Sequence, residues 1–237
     1  MHYFFATQVD GNKALLDADE SLHLSKVLRL KTGDTVGILN GSGVIYEAEV
    51  RSVHAKASWV EIRKIHKESP VRPYRLHLAI APTKMMERLE WFLEKAVEIG
   101  IDEISLILTE RGERSVVKMP RVENVVKAAM KQSLNAKMPL MNEVQNFQTF
   151  LKAAPPAARF IAHCSDDEKQ ILPEIAMQFS DLLICIGPEG DFTPKEITQA
   201  IDAGFKAVSL GDSRLRSETA GVIACAQVQA AWMLRKP

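Results

Sequence analysis

The sequence predicts an α/β protein with a small amino-terminal β domain and a larger carboxyl-terminal domain. β-rich segments separated by turns come first, a stretch with two prolines follows, and strand and helix patterns then alternate to the end of the chain. Such alternation is typical of α/β domains. A chain of 237 residues is long enough for one small and one medium-sized domain.

The amino-terminal region contains three predicted strands and one hairpin signal. The predicted strands span residues 35–39, 44–50 and 58–65. Asn40-Gly41, between the first two strands, is typical of a tight hairpin turn. The two prolines of residues 68–73 favour extended backbone and mark a linker. We therefore predict domains over residues 1–72 and 73–237.

The carboxyl-terminal region alternates between strands and helices. Predicted strands span residues 76–81, 103–108, 159–163, 182–186 and 206–210, and predicted helices span residues 84–99, 121–134, 167–179, 194–203 and 218–234. Apolar residues recur at helical spacing from Met86 to Val97, which indicates packing on a core, with Trp91 off this stripe. The last helix is rich in alanine, and such a surface fits either a core contact or a subunit interface.

Composition excludes several classes of protein. No apolar run approaches the length needed to cross a membrane, and the first residues lack the features of a signal peptide. We therefore expect a cytoplasmic protein. Cys164, Cys185 and Cys225 are far apart in apolar surroundings, which predicts reduced, buried thiols and no metal site.

The charges of the chain are unevenly distributed. A formal net charge of zero argues against a nonspecific polycation. Residues 111–137, however, contain seven basic and two acidic side chains, a net charge of +5. This segment fits either a phosphate-contacting surface or an ordinary solvated helix face.

Two glycine-containing loops are the strongest functional signal. Ile186-Gly187-Pro188-Glu189-Gly190 follows one predicted strand, and Leu210-Gly211 follows the next. Ligands of open α/β sheets bind at the carboxyl ends of strands, and glycines let the backbone come close to a flat polar ligand. Neither loop has the glycine and lysine spacing of a phosphate-binding motif. We expect a ligand site here that does not bind a nucleoside triphosphate.

Several motifs resemble those of the ribosomal RNA uracil-N3 methyltransferase family, small subunit methyltransferase E, of the SPOUT class. The motifs are Gly187-Pro188-Glu189-Gly190 with Phe192, Leu210-Gly211, Leu215-Arg216-x-Glu218-Thr219-Ala220, residues 84–100, Glu110-Arg111, Lys131-Gln132-Ser133 with Pro139, and residues 23–34. The chain departs from the family pattern in three places. Asp191 replaces a second glycine, Lys131 replaces an acid, and Leu134-Asn135 replaces Gly-Arg.

The resemblance implies a fold and a set of partners. The carboxyl-terminal domain is expected to have a trefoil-knotted, mainly parallel sheet of the SPOUT type, and the amino-terminal domain a PUA-like β-barrel that binds RNA. S-adenosyl-L-methionine is the implied cofactor, and the implied substrate is small-subunit (16S) ribosomal RNA or the assembled small-subunit particle. The resemblance also implies a homodimer in which each donor site is completed by the neighbouring chain. We expect neither a metal nor a membrane as a partner.

The resemblance also implies functional residues. Those expected at the cofactor are Ile186, Gly187, Pro188, Glu189, Gly190, Leu210, Gly211, Leu215, Arg216, Thr219 and Ala220, and those expected at RNA are Lys26, Arg29, Lys31, Arg111, Arg114 and Gln132. Uracil N3 reacts only after its proton leaves, and negative charge then spreads onto O2 and O4. Arg216 is the expected catalytic cation, since a guanidinium can hold a developing oxyanion. Glu218 is either a base or a carboxylate that complements the helix N-terminus.

Two other functions remain open at this point. One is a SPOUT-class methyltransferase that modifies a ribose hydroxyl or another base, for example in transfer RNA. The other is a noncatalytic RNA-binding or ribosome-assembly protein that has kept the fold but binds no methyl donor.

Overall fold

A computed structural model describes residues 1–155 and 157–235 and divides the chain into two compact units. The first unit comprises Met1–Val71 and Lys127–Met138, and the second comprises Arg72–Val126 and Pro139–Pro237. The second segment of the first unit was not predicted, because its first residues belong to a helix, Met119–Ser133, that begins in the second unit. The functional division into residues 1–72 and 73–237 stays a prediction.

The first unit is built on a closed five-stranded β-barrel. Its strands are β1 (Tyr3–Asp10), β2 (Lys13–Leu16), β3 (Thr35–Leu39), β4 (Val44–Ser52) and β5 (Trp59–Glu68), in the order β1-β2-β5-β4-β3. The predicted hairpin at Asn40-Gly41 is confirmed, since β3 and β4 pair antiparallel on either side of it. Parallel pairing of β1 with β3 closes the barrel. Phe4, Leu24 and Ile38 are fully buried in its core.

Two short helical segments cross from β2 to β3. The helix α1 (Ala18–Leu22) begins at Asp17, whose carboxylate accepts a hydrogen bond from the Glu20 backbone N–H, and a π-helical turn (His23–Val27) continues it. Arg29 then takes a positive φ of 54°. This left-handed residue turns the chain back toward the barrel, where Leu30 N–H donates to Leu24 C=O.

The second unit contains an eight-stranded parallel sheet. Its strands are β6 (Arg75–Ile80), β7 (Glu103–Leu108), β8 (Leu140–Met141), β9 (Gln145–Asn146), β10 (Ala158–Ala162), β11 (Gln170–Ile171), β12 (Asp181–Ile186) and β13 (Lys206–Ser209). Seven of them follow the order β11-β13-β10-β12-β6-β7-β8, and β9 pairs with β7. The predicted α/β class and mainly parallel sheet are confirmed.

Helices cover both faces of this sheet. They are α2 (Met86–Ile99), α3 (Met119–Ser133), which passes into the first unit, α4 (Phe147–Ala153), α5 (Leu172–Ala176), α6 (Pro194–Asp202) and α7 (Ser217–Leu234). The predicted stripe of α2 is buried with α5 and α7 in one core, while α4 and α6 pack on the opposite face. A Cβ at Gly221 of α7 would lie 2.6 Å from the ring of Phe92. The small residues of α7 therefore allow a close helix contact within the core.

Two expectations were wrong. The helix predicted over residues 167–179 is only α5, because Pro173 is tolerated in the first turn of a helix but not in its interior. Cys164 is exposed, whereas Cys185 and Cys225 are buried as expected. Burial raises the pKa of both buried thiols, that of Cys225 to about 12. Among the described residues, no helix is both long and apolar enough to span a membrane.

Candidate functional site

A cleft of about 730 Å³ lies at the carboxyl ends of β10, β12 and β13. These strands are neighbours in the sheet, so the loops that follow them converge at one edge. The volume is in the range of small-molecule binding sites. Both glycine-containing loops line the cleft, together with the loop after β10.

Two hydrogen bonds and a helix cap hold the loop after β12. Arg111 Nη1 donates to Gly190 C=O at 3.0 Å, and Glu189 Oε1 accepts from the Lys84 backbone N–H at 3.0 Å. A capping box between Thr193 and Glu196 begins α6 directly after the loop. The backbone of this loop is thus positioned before any ligand binds.

Asp191, the departure from the family pattern, has a positive φ of 62°. Glycine takes this backbone conformation without steric cost, whereas other residues rarely adopt it. The carboxylate of Asp191 accepts hydrogen bonds from the backbone N–H groups of Phe192 and Cys164, each at 2.9 Å. The side chain therefore links the loop after β12 to the loop after β10. The departure at Leu134 follows the same pattern, with a φ of 55°.

The loop after β13 leads into α7. Gly211 has a φ of 132°, which favours glycine, and its N–H donates to Ser209 Oγ at 3.2 Å. Gln227 of α7 donates to Leu210 C=O at 2.9 Å. The first turn of α7 contributes Ser217 and Ala220 to the cleft lining. This arrangement leaves polar backbone groups of the loop beside the cleft.

The third loop, after β10, contributes His163, Cys164, Ser165, Asp166 and Lys169 to the lining. His163 is only 8% exposed, and neither ring nitrogen has a hydrogen-bond partner among the described residues. Burial lowers the pKa of His163, as does the nearby Lys169. The imidazole is therefore neutral at physiological pH.

The charge of the lining suits a cationic or neutral ligand better than a phosphate. Four carboxylates and three basic side chains line the described cleft: Asp166, Glu189, Asp191 and Asp212, and Arg111, Lys169 and Arg214. A triphosphate would face a net negative lining. No group of three or more potential metal ligands occurs in residues 1–155 and 157–235.

Most of the residues expected at the cofactor line this one cleft. They are Ile186, Gly187, Pro188, Glu189, Gly190, Leu210, Gly211, Leu215 and Ala220. Arg216 and Thr219 are not part of the lining. Arg216 is the N-cap residue of α7, and its exposed side chain has no ion pair or hydrogen bond to any residue that the structure describes. It is thus available to a ligand outside the cleft.

Glu218 is directed away from the cleft lining. The residue is 6% exposed, Oε1 lies 3.7 Å from Nε of Arg88 in α2, and the buried Oε2 has no partner among described residues. A carboxylate in the first turn of α7 also interacts favourably with the helix dipole. This geometry favours the second of the two roles expected of Glu218.

The arginines expected at RNA hold loops of the second unit. Arg111 bonds to Gly190, as described above, and Arg114 donates from Nε to Thr83 C=O at 3.0 Å and from Nη2 to Lys84 C=O at 2.5 Å. The RNA-contact role of both residues stays a prediction. Their hydrogen bonds connect the segments that follow β6, β7 and β12.

The residues expected at RNA in the first unit are exposed. Lys26 lies on the π-helical turn, and Arg29 and Lys31 follow it in a tight loop that Asp34 closes by accepting from the Lys31 N–H at 2.7 Å. Gln132, on the second half of α3, is also exposed. Lys131, beside it, forms an ion pair with Glu20 of α1.

Sequence reasoning missed the loop after β10. No glycine or motif marks residues 163–169. The position of β10 between β12 and β13 brings this loop into the cleft. The only related prediction was the strand over residues 159–163, which precedes the loop.

Comparisons with known proteins bear on both units. Residues 70–229 match the RNA methyltransferase domain, and residues 16–63 match the RNA methyltransferase PUA domain. The chain is 29% identical to ribosomal RNA small subunit methyltransferase E of Rickettsia conorii, over 96% of this chain and 93% of that protein. It is 30% identical to the protein of the same name from Synechocystis sp., over 88% of this chain and 70% of that protein.

Solved structures agree with these matches. A probable rRNA-methyltransferase from Porphyromonas gingivalis is 38% identical, with a TM-score of 0.85 and coverage of 98% of this chain and 99% of that chain. A ribosomal RNA small subunit methyltransferase E from Neisseria gonorrhoeae, bound to S-adenosyl methionine, is 26% identical, with a TM-score of 0.86 and coverage of 98% of both chains.

Proposed function

The chain belongs to the ribosomal RNA small subunit methyltransferase E family, and we propose that it transfers a methyl group from S-adenosylmethionine to N3 of a uridine in small-subunit (16S) ribosomal RNA. The observation that carries this proposal is the cleft of about 730 Å³ formed by both glycine-containing loops. Two relatives of high structural similarity are bound to the same donor. The PUA match adds an RNA-associated domain at the other end of the chain.

The residues of the cleft fit this donor. Glycine-rich backbone at Gly187, Gly190 and Gly211 can approach a flat adenine, and nearby backbone N–H and C=O groups can pair with its edge. The donor carries a sulfonium cation, which the excess of carboxylates in the lining tolerates. When bound, S-adenosylmethionine supplies an activated methyl group, and the protein contributes position and electrostatics.

Arg216 is the residue that we propose to act on the base. The N3–H proton must leave before N3 can accept the methyl group, and the resulting charge spreads onto O2 and O4. Arg216 is exposed at the start of α7, next to Leu215 and Ser217 of the lining, and no ion pair with a described residue neutralises it. A guanidinium in this place would stabilise the developing oxyanion.

RNA binding is proposed for the first unit. N3 lies inside a base pair, so the target uridine has to come from a loop or be unstacked into a pocket, at a cost of a few kcal/mol. Lys26, Arg29 and Lys31 are exposed in a short segment and would position structured RNA through its phosphates. Gln132 is proposed as a further contact.

Three further properties are proposed from family membership. They are a homodimer that completes each donor site, a knotted path of the chain around residues 211–220, and a cytoplasmic location in contact with ribosomes. Size-exclusion chromatography with light scattering tests the first. A chain that is monomeric in this experiment and still binds S-adenosylmethionine would contradict the proposed dimer.

Nucleoside mass spectrometry tests the proposed reaction. Purified protein is incubated with methyl-labelled S-adenosylmethionine and with either 16S ribosomal RNA or small-subunit particles from cells that lack the enzyme. We expect labelled 3-methyluridine from at least one substrate. Arg216→Ala should lose methyl transfer but keep donor binding, whereas Lys206→Ala serves as a control because Lys206 is an exposed basic residue that does not line the cleft.

The other outcomes separate the alternatives. Label on a ribose or on another base would overturn the uracil-N3 assignment but leave a methyltransferase. Absence of donor binding would support a noncatalytic RNA-binding protein.

A further inference from the structure

His163 is a buried polar side chain without a partner, at the edge of the cleft. It follows β10 directly, lines the cleft and is 8% exposed. Neither Nδ1 nor Nε2 has a hydrogen-bond partner among the described residues. Buried polar groups are nearly always hydrogen-bonded, because a buried group without a partner loses its hydration and gains nothing in return. Two such atoms on one ring that lines a ligand cleft indicate a missing partner.

The surroundings of His163 keep its ring neutral. Burial and Lys169 both lower its pKa, and they outweigh the opposing effects of Asp191 and Asp167. A neutral imidazole presents one N–H donor and one acceptor nitrogen. Its natural partners are uncharged groups that can donate and accept, rather than a carboxylate or an ammonium group.

We infer that His163 is a donor-binding residue that hydrogen-bonds the adenosine part of S-adenosylmethionine. This inference rests on the proposed function. The adenosine is the neutral, polar portion of the ligand, with an amino group, ring nitrogens and ribose hydroxyls that match a donor and an acceptor. The amino acid portion is charged and would call for a charged partner instead.

The loop after β10 can bring His163 into contact with the adenosine. The residues that follow His163 are largely exposed, and Asp191 connects this loop to the loop after β12 by accepting from the Cys164 N–H at 2.9 Å. His163 is therefore next to a hydrogen bond that connects two loops of the cleft. Binding of adenosine would give its ring nitrogens the partners that they lack within the described chain.

Binding measurements on the full-length protein test this inference. Isothermal titration calorimetry gives the dissociation constants of S-adenosylmethionine, adenosine and methionine for wild type, His163→Phe and His163→Gln. We expect His163→Phe to weaken both adenosine and S-adenosylmethionine by about 3- to 10-fold, the range for loss of one hydrogen bond between neutral groups. His163→Gln, which keeps one donor and one acceptor, should recover part of the affinity.

A second measurement separates ligand contact from a structural role. The ring nitrogens of His163, assigned by comparison with the His163→Gln spectrum, should change their ¹⁵N chemical shifts on addition of adenosine. His77→Gln is the matched control, because His77 is also a buried histidine but bonds to Ser105 and does not line the cleft. We expect its thermal stability to fall and its affinity for adenosine to stay that of wild type.

The possible results distinguish this inference from the proposed function. Unchanged affinity for adenosine in His163→Phe, or ring shifts that do not respond to adenosine, overturns the inference alone. Donor binding without methyl transfer to RNA overturns the proposed function alone. Wild-type protein that binds neither S-adenosylmethionine nor adenosine overturns both.

Discussion

Substitution of Asp191 tests which interactions stabilise the loop after β12. Asp191 has a φ of 62°, and its carboxylate accepts hydrogen bonds from the backbone N–H groups of Phe192 and Cys164. Asp191→Ala removes both bonds and keeps a side chain in the left-handed region. At about 0.5–1.5 kcal/mol for each bond, the loss in unfolding free energy should be about 1–3 kcal/mol.

Asp191→Gly separates the two contributions. Glycine loses the same two hydrogen bonds but relieves the backbone, where the left-handed conformation costs other residues about 1–2 kcal/mol. Asp191→Gly should therefore be about 1 kcal/mol more stable than Asp191→Ala. Both variants should bind S-adenosylmethionine more weakly, because the tie between the two loops is lost.

Urea unfolding, followed by circular dichroism, measures the stabilities, and calorimetry measures donor affinity. Asp212→Ala is the control for the stability measurement alone, since Asp212 is an exposed aspartate of the same cleft and its φ is not positive. Two results would refute the reasoning. One is an Asp191→Ala variant as stable as wild type, and the other is an Asp191→Gly variant less stable than Asp191→Ala.

Three further predictions concern packing and pH. Gly190→Val should abolish donor binding, because even a Cβ at Gly190 would lie 3.3 Å from Arg111 Cβ, and calorimetry with a thermal-melting control checks this. Gly221→Ala should lower the unfolding free energy measured in urea by about 1–3 kcal/mol, because the new Cβ meets the buried ring of Phe92. This loss outweighs the better helix propensity of alanine, and a gain in stability would contradict the packing. Burial lowers the pKa of His77 to about 4 from 6.5. As the pH falls, the unfolded chain takes up the His77 proton before the folded chain does. The contribution of neutral His77 to the unfolding free energy is therefore complete above pH 6.5, and about 3 kcal/mol of it is lost as the pH falls to 4. His77→Gln should flatten that pH dependence. If the unfolding free energy measured in urea depends on pH as steeply in His77→Gln as in wild type, His77 is not its cause.

Local patterns were enough to predict much of the second unit. Strand β7 begins and ends where the sequence predicted, and α2 buries the predicted apolar stripe and leaves Trp91 exposed. Side-chain periodicity and turn residues act over a few positions, so they can be read without knowledge of the fold. For the same reason, the two glycine-containing loops could be assigned to the carboxyl ends of strands.

Predictions failed where contacts between distant residues decide the structure. No strand was predicted before residue 35, yet β1 closes the barrel by pairing with β3. The contact of Arg111 and Arg114 with RNA stays a prediction, but no local pattern indicated that both guanidiniums bond to backbone carbonyls of other loops. A basic side chain has the same appearance in sequence whether it meets solvent, RNA or a carbonyl.

The sequence by itself determined the α/β class, the order of most strands and helices along the chain, and two of the three loops that form the cleft. Only the tertiary structure decided that β10 lies between β12 and β13, which brings His163 to the same edge. It also decided that Asp191, in place of a glycine, holds a left-handed turn through its own hydrogen bonds. The physical reason is that strand order and loop contacts depend on residues far apart in the chain, whereas strand and helix type depend on neighbours.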